Sequence, residues 1–544
     1  MAFRKDARRM SVIIMKKSLY ARCRRFSTFV GLTGCLIGAV AAAQAAAEPP
    51  PQSAAPAAEA KADVAGKSVV KIVSTLRYPD RFQPWSKKAP VSASASGVVI
   101  EGKRILTTAH AVAYASDVQI EVNEAGDKVA ATVAGFSPEI DLAVLKLDDE
   151  AFFNTHPPLK RGGKLPQIKD AVTAYGFAEG ASGVSTTKGI VSRIDFAAYS
   201  IGSRGLRIQV DTPLSPGISG GPAVVGDTMI GLAFAPSGKT EKFTYINPCE
   251  EIELFLKGIS QGSYHGRPSL DIVVQDLQHP ALRSFLGVDK AVHGVVVQQT
   301  GPLSADSPLR KWDIITQVGN TDLDDDGMIQ MTNGIHLPFT YLLSQTAVNG
   351  IAPMTVLRSG QLQHLSVPVQ SNPAHLLPGL NGAYPNYFVY GPLVFSDASQ
   401  DLFYDLVSSV TSGSTALNGT LRLLDQDTPL VTRCDDLAKF DGERLVVVTT
   451  FFQHKLAGSY ASPVTQVVKA INGIPIKNLG HLVQVLRDSK EKFISIEFFG
   501  RYSNTLVFPR EEMLTDTDAI LTDNNVHNQG SPDVMAIWNA RKKE

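Results

Sequence analysis

Cysteine is scarce in this chain: four residues in 544. Cys23 and Cys35 fall in an N-terminal stretch that reads as a targeting segment, which leaves only Cys249 and Cys434 for the folded part. That excludes a disulfide framework, and no thiols stand at zinc-binding spacing. An excess of charge is also missing. The 52 Lys and Arg balance 52 Asp and Glu, for a formal net charge of zero. Nothing in that balance points to nucleic acid as a partner. Long apolar runs are absent as well. Residues 29–43 form the longest, and they fall short of the ~18 consecutive apolar residues a membrane-spanning helix needs. Histidines such as His265, His279 and His293 show no metal spacing. Asp322-Leu323-Asp324-Asp325-Asp326-Gly327 matches the front of a calcium loop, but its twelfth position is Asn333 rather than a bidentate Glu. A solvated acidic loop is the better reading, and no metal or cofactor is expected.

What is present describes a soluble globular protein, with 44% hydrophobic and 19% charged residues. The length suggests about three or four domains. Residues 1–47 read as a signal peptide. Arg4, Lys5, Arg8, Arg9, Lys16, Lys17, Arg22, Arg24 and Arg25 precede the apolar run, and Ala43-Gln44-Ala45 is a small-residue cleavage candidate. This implies export to a bacterial periplasm; left uncleaved, the segment would tether the protein to a membrane. Residues 48–66 are rich in Ala and Pro and read as a disordered linker.

From 67 to 265 the pattern is almost entirely β. Residues 118–122 alternate with period two, and residues 131–134 and 228–234 look like short strands bounded by turns. So many short strands suit two six-stranded barrels. Residues 250–260 are amphipathic and suit a helix closing this domain. Residues 266–372 run strand, turn, helix candidate at 339–346 and final hairpin. Residues 380–510 repeat that plan more loosely. Residues 511–544 are polar, acidic at first, and read as a loosely held tail.

Three stretches carry chemistry. Gly217-Ile218-Ser219-Gly220-Gly221-Pro222 follows an apolar strand. Its glycines permit a sharp bend that other residues resist. Such a bend can expose one hydroxyl and aim backbone N–H groups at the same point, as a serine nucleophile and its oxyanion hole require. Alone it is equally well a glycine-rich turn with a spectator serine. Upstream, Thr107-Thr108-Ala109-His110-Ala111 places a histidine among small residues, and Asp141-Leu142-Ala143-Val144-Leu145-Lys146 opens a strand with an acid. A lone histidine is usually a surface or satisfied core residue, and a lone Asp before a strand is usually a cap. Together, in the order His, Asp, Ser, they match a known triad order.

On these residues the chain resembles the chymotrypsin-like serine proteases, and within them the HtrA/Deg family. That family carries T-N-A-H-V, D-[IL]-A-[LV]-[LI]-[KR] and G-N-S-G-G-P at the corresponding places. The resemblance spans about residues 67–510 and is nearest to plant-type Deg proteases with two PDZ domains. It implies a mainly β protein: a chymotrypsin-like double β-barrel protease domain followed by two PDZ-like α+β domains. It implies His110, Asp141 and Ser219 as catalytic residues, with the N–H groups of Gly217 and Ser219 as the oxyanion hole. It further implies an ATP-independent endopeptidase acting on unfolded or damaged proteins, assembled as a trimer or a group of trimers. Ile218 stands where the family has Asn, which leaves a rival reading: a weak or dormant enzyme serving as a peptide-binding chaperone or scaffold.

Specificity is legible coarsely. Proteases that cut after Lys or Arg carry an Asp six residues before the serine; here that position is Pro213. With Leu232, Ala233 and Phe234 downstream, a small apolar pocket for Val, Ala or Leu is expected. In the first PDZ-like unit the carboxylate-binding loop corresponds to Leu270-Asp271-Ile272. Asp271 puts negative charge where a peptide C-terminus would sit, so strong capture is not expected there. In the second, Gly391-Pro392-Leu393-Val394-Phe395 holds a proline that cannot donate an N–H, and contact between subunits is the implied role.

Overall fold

The computed structural model describes residues 64–540, apart from 122–126, 201–202, 213, 216, 235–243, 302–306, 332–333, 372–373, 412–426 and 502. The leader, and with it any tether, lies outside the described residues. A short helix, Val64–Ser68, opens the described part and buries Ala65 and Ser68. The last three residues assigned to the disordered linker are therefore structured, anchored by the Ser68 hydroxyl on the Pro157 carbonyl.

Two closed barrels follow. The first contains β1 (Val69–Leu76), β2 (Val91–Ile100), β3 (Arg104–Thr107), β4 (Ala115–Glu121), β5 (Lys128–Ser137) and β6 (Leu142–Leu147). The second contains β7 (Ala171–Gly176), β8 (Ser185–Ser200), β9 (Ser203–Val210), β10 (Pro222–Val225), β11 (Thr228–Phe234) and β12 (Thr244–Pro248). Their strand orders, β1-β2-β3-β6-β5-β4 and β10-β11-β12-β9-β8-β7, are one antiparallel plan used twice. Alternation explains the first barrel: Val70 and Ile72 of β1 point inward, against Ile105, Ile120 and Leu145. Helix Cys249–Ser260 seals the pair by burying Ile252, Phe255 and Leu256.

The next unit is an antiparallel sheet ordered Ile272–Asp276, Val295–Thr300, Ile314–Val318, Ile351–Arg358, Gln361–Pro368, with a short helical stretch at Phe339–Leu342 and Leu343–Thr346. Ile272–Asp276 is an edge strand. A buried ionic cluster joins this unit to the barrels. The Arg267 guanidinium donates to both oxygens of Glu251, at 2.9 and 3.1 Å, and to Glu250 at 2.8 Å. It also donates to the Ser344 hydroxyl, while Tyr341 Oη donates to Glu250 at 3.0 Å. Glu251 is fully buried and accepts as well from the Leu206 N–H at 2.6 Å.

The last unit has two sheets: Tyr387–Tyr390, Leu393–Asp397 and Val446–Phe451; then Ile474–Pro475, Val468–Ile471, Phe493–Phe498 and Leu506–Pro509. Here the chain departs from the sequence reading. The stretch taken for a loose tail forms helices Arg510–Asp523 and Pro532–Asn539. Met513, Thr517, Ile520 and Leu521 are buried at helical spacing, and Trp538 packs on Phe388 with ring centroids 5.1 Å apart. The acidic residues are the solvent face of the first of these helices, and Glu511 and Glu512 complement its N-terminal dipole.

The loop between β1 and β2 docks on this last unit. Arg81 pairs with Asp401 at 3.3 Å and Asp405 at 2.5 Å. Trp85 packs between Tyr387 and Phe452, and Phe82 enters a cluster with Leu402 and Val447. Tyr384 Oη donates to the Arg77 carbonyl, and its ring meets Tyr114, which in turn meets Tyr78.

Candidate active site

His110 emerges from a 3-10 turn, Ala109–Ala111, directly after β3. Asp141 stands at the start of β6 with φ +55°, a left-handed conformation that Asp tolerates better than most residues. One carboxylate oxygen accepts from the His110 backbone N–H at 2.9 Å; the other meets Nδ1 at 2.8 Å. This two-point grip fixes the ring's position and favours the tautomer with hydrogen on Nδ1, leaving Nε2 as the acceptor. Burial pulls the imidazole pKa down, but the hydrogen bond and the charge of Asp141 outweigh that and hold it above its usual 6.5.

Ser219 sits in the loop between β9 and β10 of the second barrel. Gly217 and Gly220 have φ of +91° and +90°, where other residues would be strained. A Cβ on Gly221 would lie 1.9 Å from the Tyr175 carbonyl oxygen, and one on Gly220 would lie 2.1 Å from that of Ser96 and 2.6 Å from Thr107 Oγ1. Glycine is therefore required, and the packing brings the Ser219 loop against the end of β3, three residues before His110. Backbone bonds close the loop: Gly220 N–H to Ala233 O at 2.8 Å, Ala233 N–H to Gly221 O at 2.8 Å and Gly221 N–H to Ile218 O at 3.0 Å. Ile218, the departure from the resembling family, is buried against Gly176.

Two buried polar groups beside the site escape the sequence reading. Ser96 on β2 is fully buried and bonds to both Gly217 and Ser219, as developed below. Asn247 on β12 is also buried; its amide donates to the Ile140 carbonyl at 2.6 Å, beside Asp141, and its oxygen accepts from Tyr199 at 3.2 Å. Residues 92–97 are part of the family resemblance, but the sequence does not show these contacts, because the partners stand 121 and 107 positions away.

The residues expected to form a specificity pocket are placed unequally. Leu232 is fully buried in the core with Leu106 and Phe255, which commits its side chain to packing rather than to a lining role. Ala233 is the backbone partner of the Ser219 loop, and Phe234 stacks between Tyr199 and Tyr245. Pro213 lies outside the described residues. In the next unit, Leu270 and Ile272 line a cleft, and the Asp271 carboxylate occupies the space a side chain on Gly301 would take. Gly391 and Pro392 form the hairpin turn after Tyr390, and Met513 covers Gly391.

That cleft, of about 880 Å³, runs from His110 and Asp141 past Tyr114 to Ile272, Val274 and Phe339. The acidic near-match to a calcium loop is occupied by protein groups: Asp325 takes Arg283 and His293, Asp326 takes Gln278, and Asp324 accepts from the N–H groups of Asp326 and Met328. Burial pushes the Cys249 thiol up to about 12 and the Cys434 thiol up to about 11, which leaves both protonated and unreactive at neutral pH.

Similarity to known proteins covers both the barrels and the C-terminal unit. Residues 95–232 match the trypsin-like peptidase domain family, and residues 380–533 match the PDZ domain family. Protease Do-like 2, chloroplastic, of Arabidopsis thaliana is 32% identical over 478 residues, covering 86% of this chain and 75% of its own. Protease Do-like 4, mitochondrial, of the same plant is 29% identical over 442 residues, covering 80% of each chain. Among solved structures, the HtrA-type protease AlgW with decapeptide aligns at 24% identity with a TM-score of 0.43, covering 57% of this chain and 98% of that one.

Proposed function

The chain belongs to the Do-like, or HtrA/Deg, family of serine endopeptidases, and on that premise we propose that Ser219, His110 and Asp141 form its catalytic triad. The observation that carries the proposal is the two-point hold of Asp141 on His110. Ser219 Oγ attacks the peptide carbonyl while His110 Nε2 takes its proton. The imidazolium, stabilised by Asp141, then gives that proton to the leaving amine. The N–H groups of Gly217 and Ser219 bind the oxyanion, each donor being worth about 2.7–4 kcal/mol of barrier. Water hydrolyses the acyl-enzyme by the same path in reverse. Because the base must be neutral, activity rises with pH through the raised His110 pKa.

The substrates are unfolded or damaged polypeptides, cut without ATP in protein quality control. The cleft that joins His110 to the edge strand Ile272–Asp276 supports an extended peptide as its occupant, since an edge strand pairs with added backbone. Asp271 keeps the first PDZ unit from strong capture of C-terminal carboxylates. Assembly as a trimer, or a group of trimers, is part of the same reading. The relatives are named for chloroplast and mitochondrion; what supports periplasmic export here is the basic and apolar composition of residues 1–47.

A second reading, a dormant peptide-binding chaperone, draws on Ile218. One experiment separates them. With unfolded casein and a fluorophosphonate probe, the wild-type chain is expected to cleave and to be labelled at Ser219, while Ser219→Ala does neither and melts at the same temperature. Cleavage retained in a clean Ser219→Ala preparation removes the triad assignment; a silent, unlabelled wild type favours the chaperone.

A further inference from the structure

We infer that Ser96 is a positioning residue that fixes the reactive geometry of the Ser219 loop, a role the resembling sequence motif gives no reason to expect. The inference rests on Ser219 being the nucleophile. Ser96 lies on β2 of the first barrel, the loop belongs to the second, and the residue's N–H and hydroxyl tie them together. Its N–H donates to the Ser219 carbonyl at 3.0 Å. Its hydroxyl donates to the Gly217 carbonyl at 2.7 Å and accepts from the Phe177 N–H at 2.8 Å. Its own carbonyl accepts from Thr107 Oγ1 at 2.7 Å, on the strand that leads into His110. The side chain is fully buried, so no water competes for these bonds.

The two carbonyls it holds flank Ile218. A backbone clamped at both positions has few ways to rotate the Ile218–Ser219 peptide, which carries the Ser219 N–H assigned to the oxyanion; the Gly217 N–H, the other assigned donor, lies in the peptide just before the clamp. The need for such a clamp follows from Ile218 itself. A side chain with no polar atom cannot anchor the loop by hydrogen bonding, and here it packs into the seam beside Gly176. The Ser96 hydroxyl stands against the same glycine: a Cβ on Gly176 would lie 2.7 Å from Ser96 Oγ and 2.9 Å from Ile218 Cα. Side-chain anchoring that Ile218 cannot supply is thus delivered from the opposite barrel.

Ser96→Ala removes the hydroxyl and leaves the Phe177 N–H without its partner, while the backbone bond to Ser219 persists. Displacing a reacting group by even ~1 Å can cost about 100-fold in rate. The expected result is a fall of about 10- to 100-fold in kcat, with KM for a short peptide within about twofold of wild type. The decisive measurement is kcat per competent site, with sites counted by fluorophosphonate titration, in wild type, Ser96→Ala and Ser96→Cys. Positioning predicts a full complement of sites that turn over slowly in Ser96→Ala, with intermediate turnover in Ser96→Cys, whose thiol donates weakly. A purely structural role predicts fewer sites, each turning over at the wild-type rate. That result, or a change confined to KM, overturns the inference. Should Ser96→Ala fail to fold, Ser96→Cys decides by the same ratio. A wild-type chain that takes no label would instead indict the nucleophile assignment, so the two failures are distinguishable.

Discussion

Replacing Arg267 with Met should turn a pH-tolerant junction into an acid-preferring one. The wild-type guanidinium is almost wholly buried and gives hydrogen bonds to Glu251, Glu250 and Ser344. Arg267→Met retains the aliphatic bulk between Phe196 and Tyr341 but strands the Glu251 carboxylate, which is fully inaccessible and keeps the Leu206 N–H as a donor. Removing one member of such a buried pair costs about 3–5 kcal/mol. At 2–4 °C per kcal/mol for a domain of about 200 residues, this is a fall of roughly 6–20 °C in Tm at neutral pH.

The pH dependence gives the sharper signature. Burial already holds the Glu251 pKa above the usual carboxylate value, with Arg267 opposing. Without Arg267 it rises further. An acid whose folded pKa is raised contributes its full stability below the unfolded pKa and loses it as pH rises through the folded one. The deficit of Arg267→Met relative to wild type should therefore be small near pH 5 and grow toward pH 8. Adding Glu251→Gln should abolish that growth, because a neutral amide still accepts from Leu206. Calorimetry on the full chain at both pH values reads this directly. A deficit equal at the two pH values, or one below about 1 kcal/mol, would refute the reasoning.

Three further outcomes are expected. Asp141→Asn should lower kcat about 10⁴-fold through the wrong histidine tautomer; any residual activity should show its acid limb at lower pH, because the influence raising the His110 pKa is gone, and an unmoved limb would count against this. Gly221→Ala should abolish cleavage, since its Cβ would lie 1.9 Å from Tyr175 O, with a stability loss of about 1–3 kcal/mol from overpacking; near-normal activity would show that the loop yields more easily than its contacts imply. Peptide-library cleavage should favour Val, Ala or Leu before the cut, and a profile led by Arg or Lys would contradict an uncharged pocket.

Much of this protein is legible along the chain because local rules dominate where they were applied. β1 of the first barrel and β7 and β9 of the second alternate, and the glycines at 217 and 220 announce positive φ from the sequence alone. The C-terminal helices are hard to see in the sequence because their acids suggest a loosely held tail, when the same acids are the wet side of a helix whose Met513 and Ile520 face inward. β11 is buried on both sides from Met229 to Phe234, so nearness to the nucleophile in sequence does not tell Leu232 from its neighbours as a pocket residue. Ser96 and Asn247 could not have been found, since a buried hydroxyl or amide takes its meaning from partners that only folding supplies.

The docking of the β1–β2 loop on the last unit bears on how deletions are to be interpreted. Arg81 reaches acids 320 and 324 positions downstream, and Phe82 and Trp85 find their cover there. A shortened chain ending before that unit would lay two aromatic rings bare in water, on the segment whose base includes Tyr78, the ring neighbour of Tyr114. Lost proteolysis in such a truncation would therefore report a loosened wall of the cleft that His110 lines as readily as a missing peptide receptor. Point changes at Asp401 and Asp405, which undo the ionic tie and leave the apolar cover in place, are the cleaner instrument for asking what the accessory unit contributes.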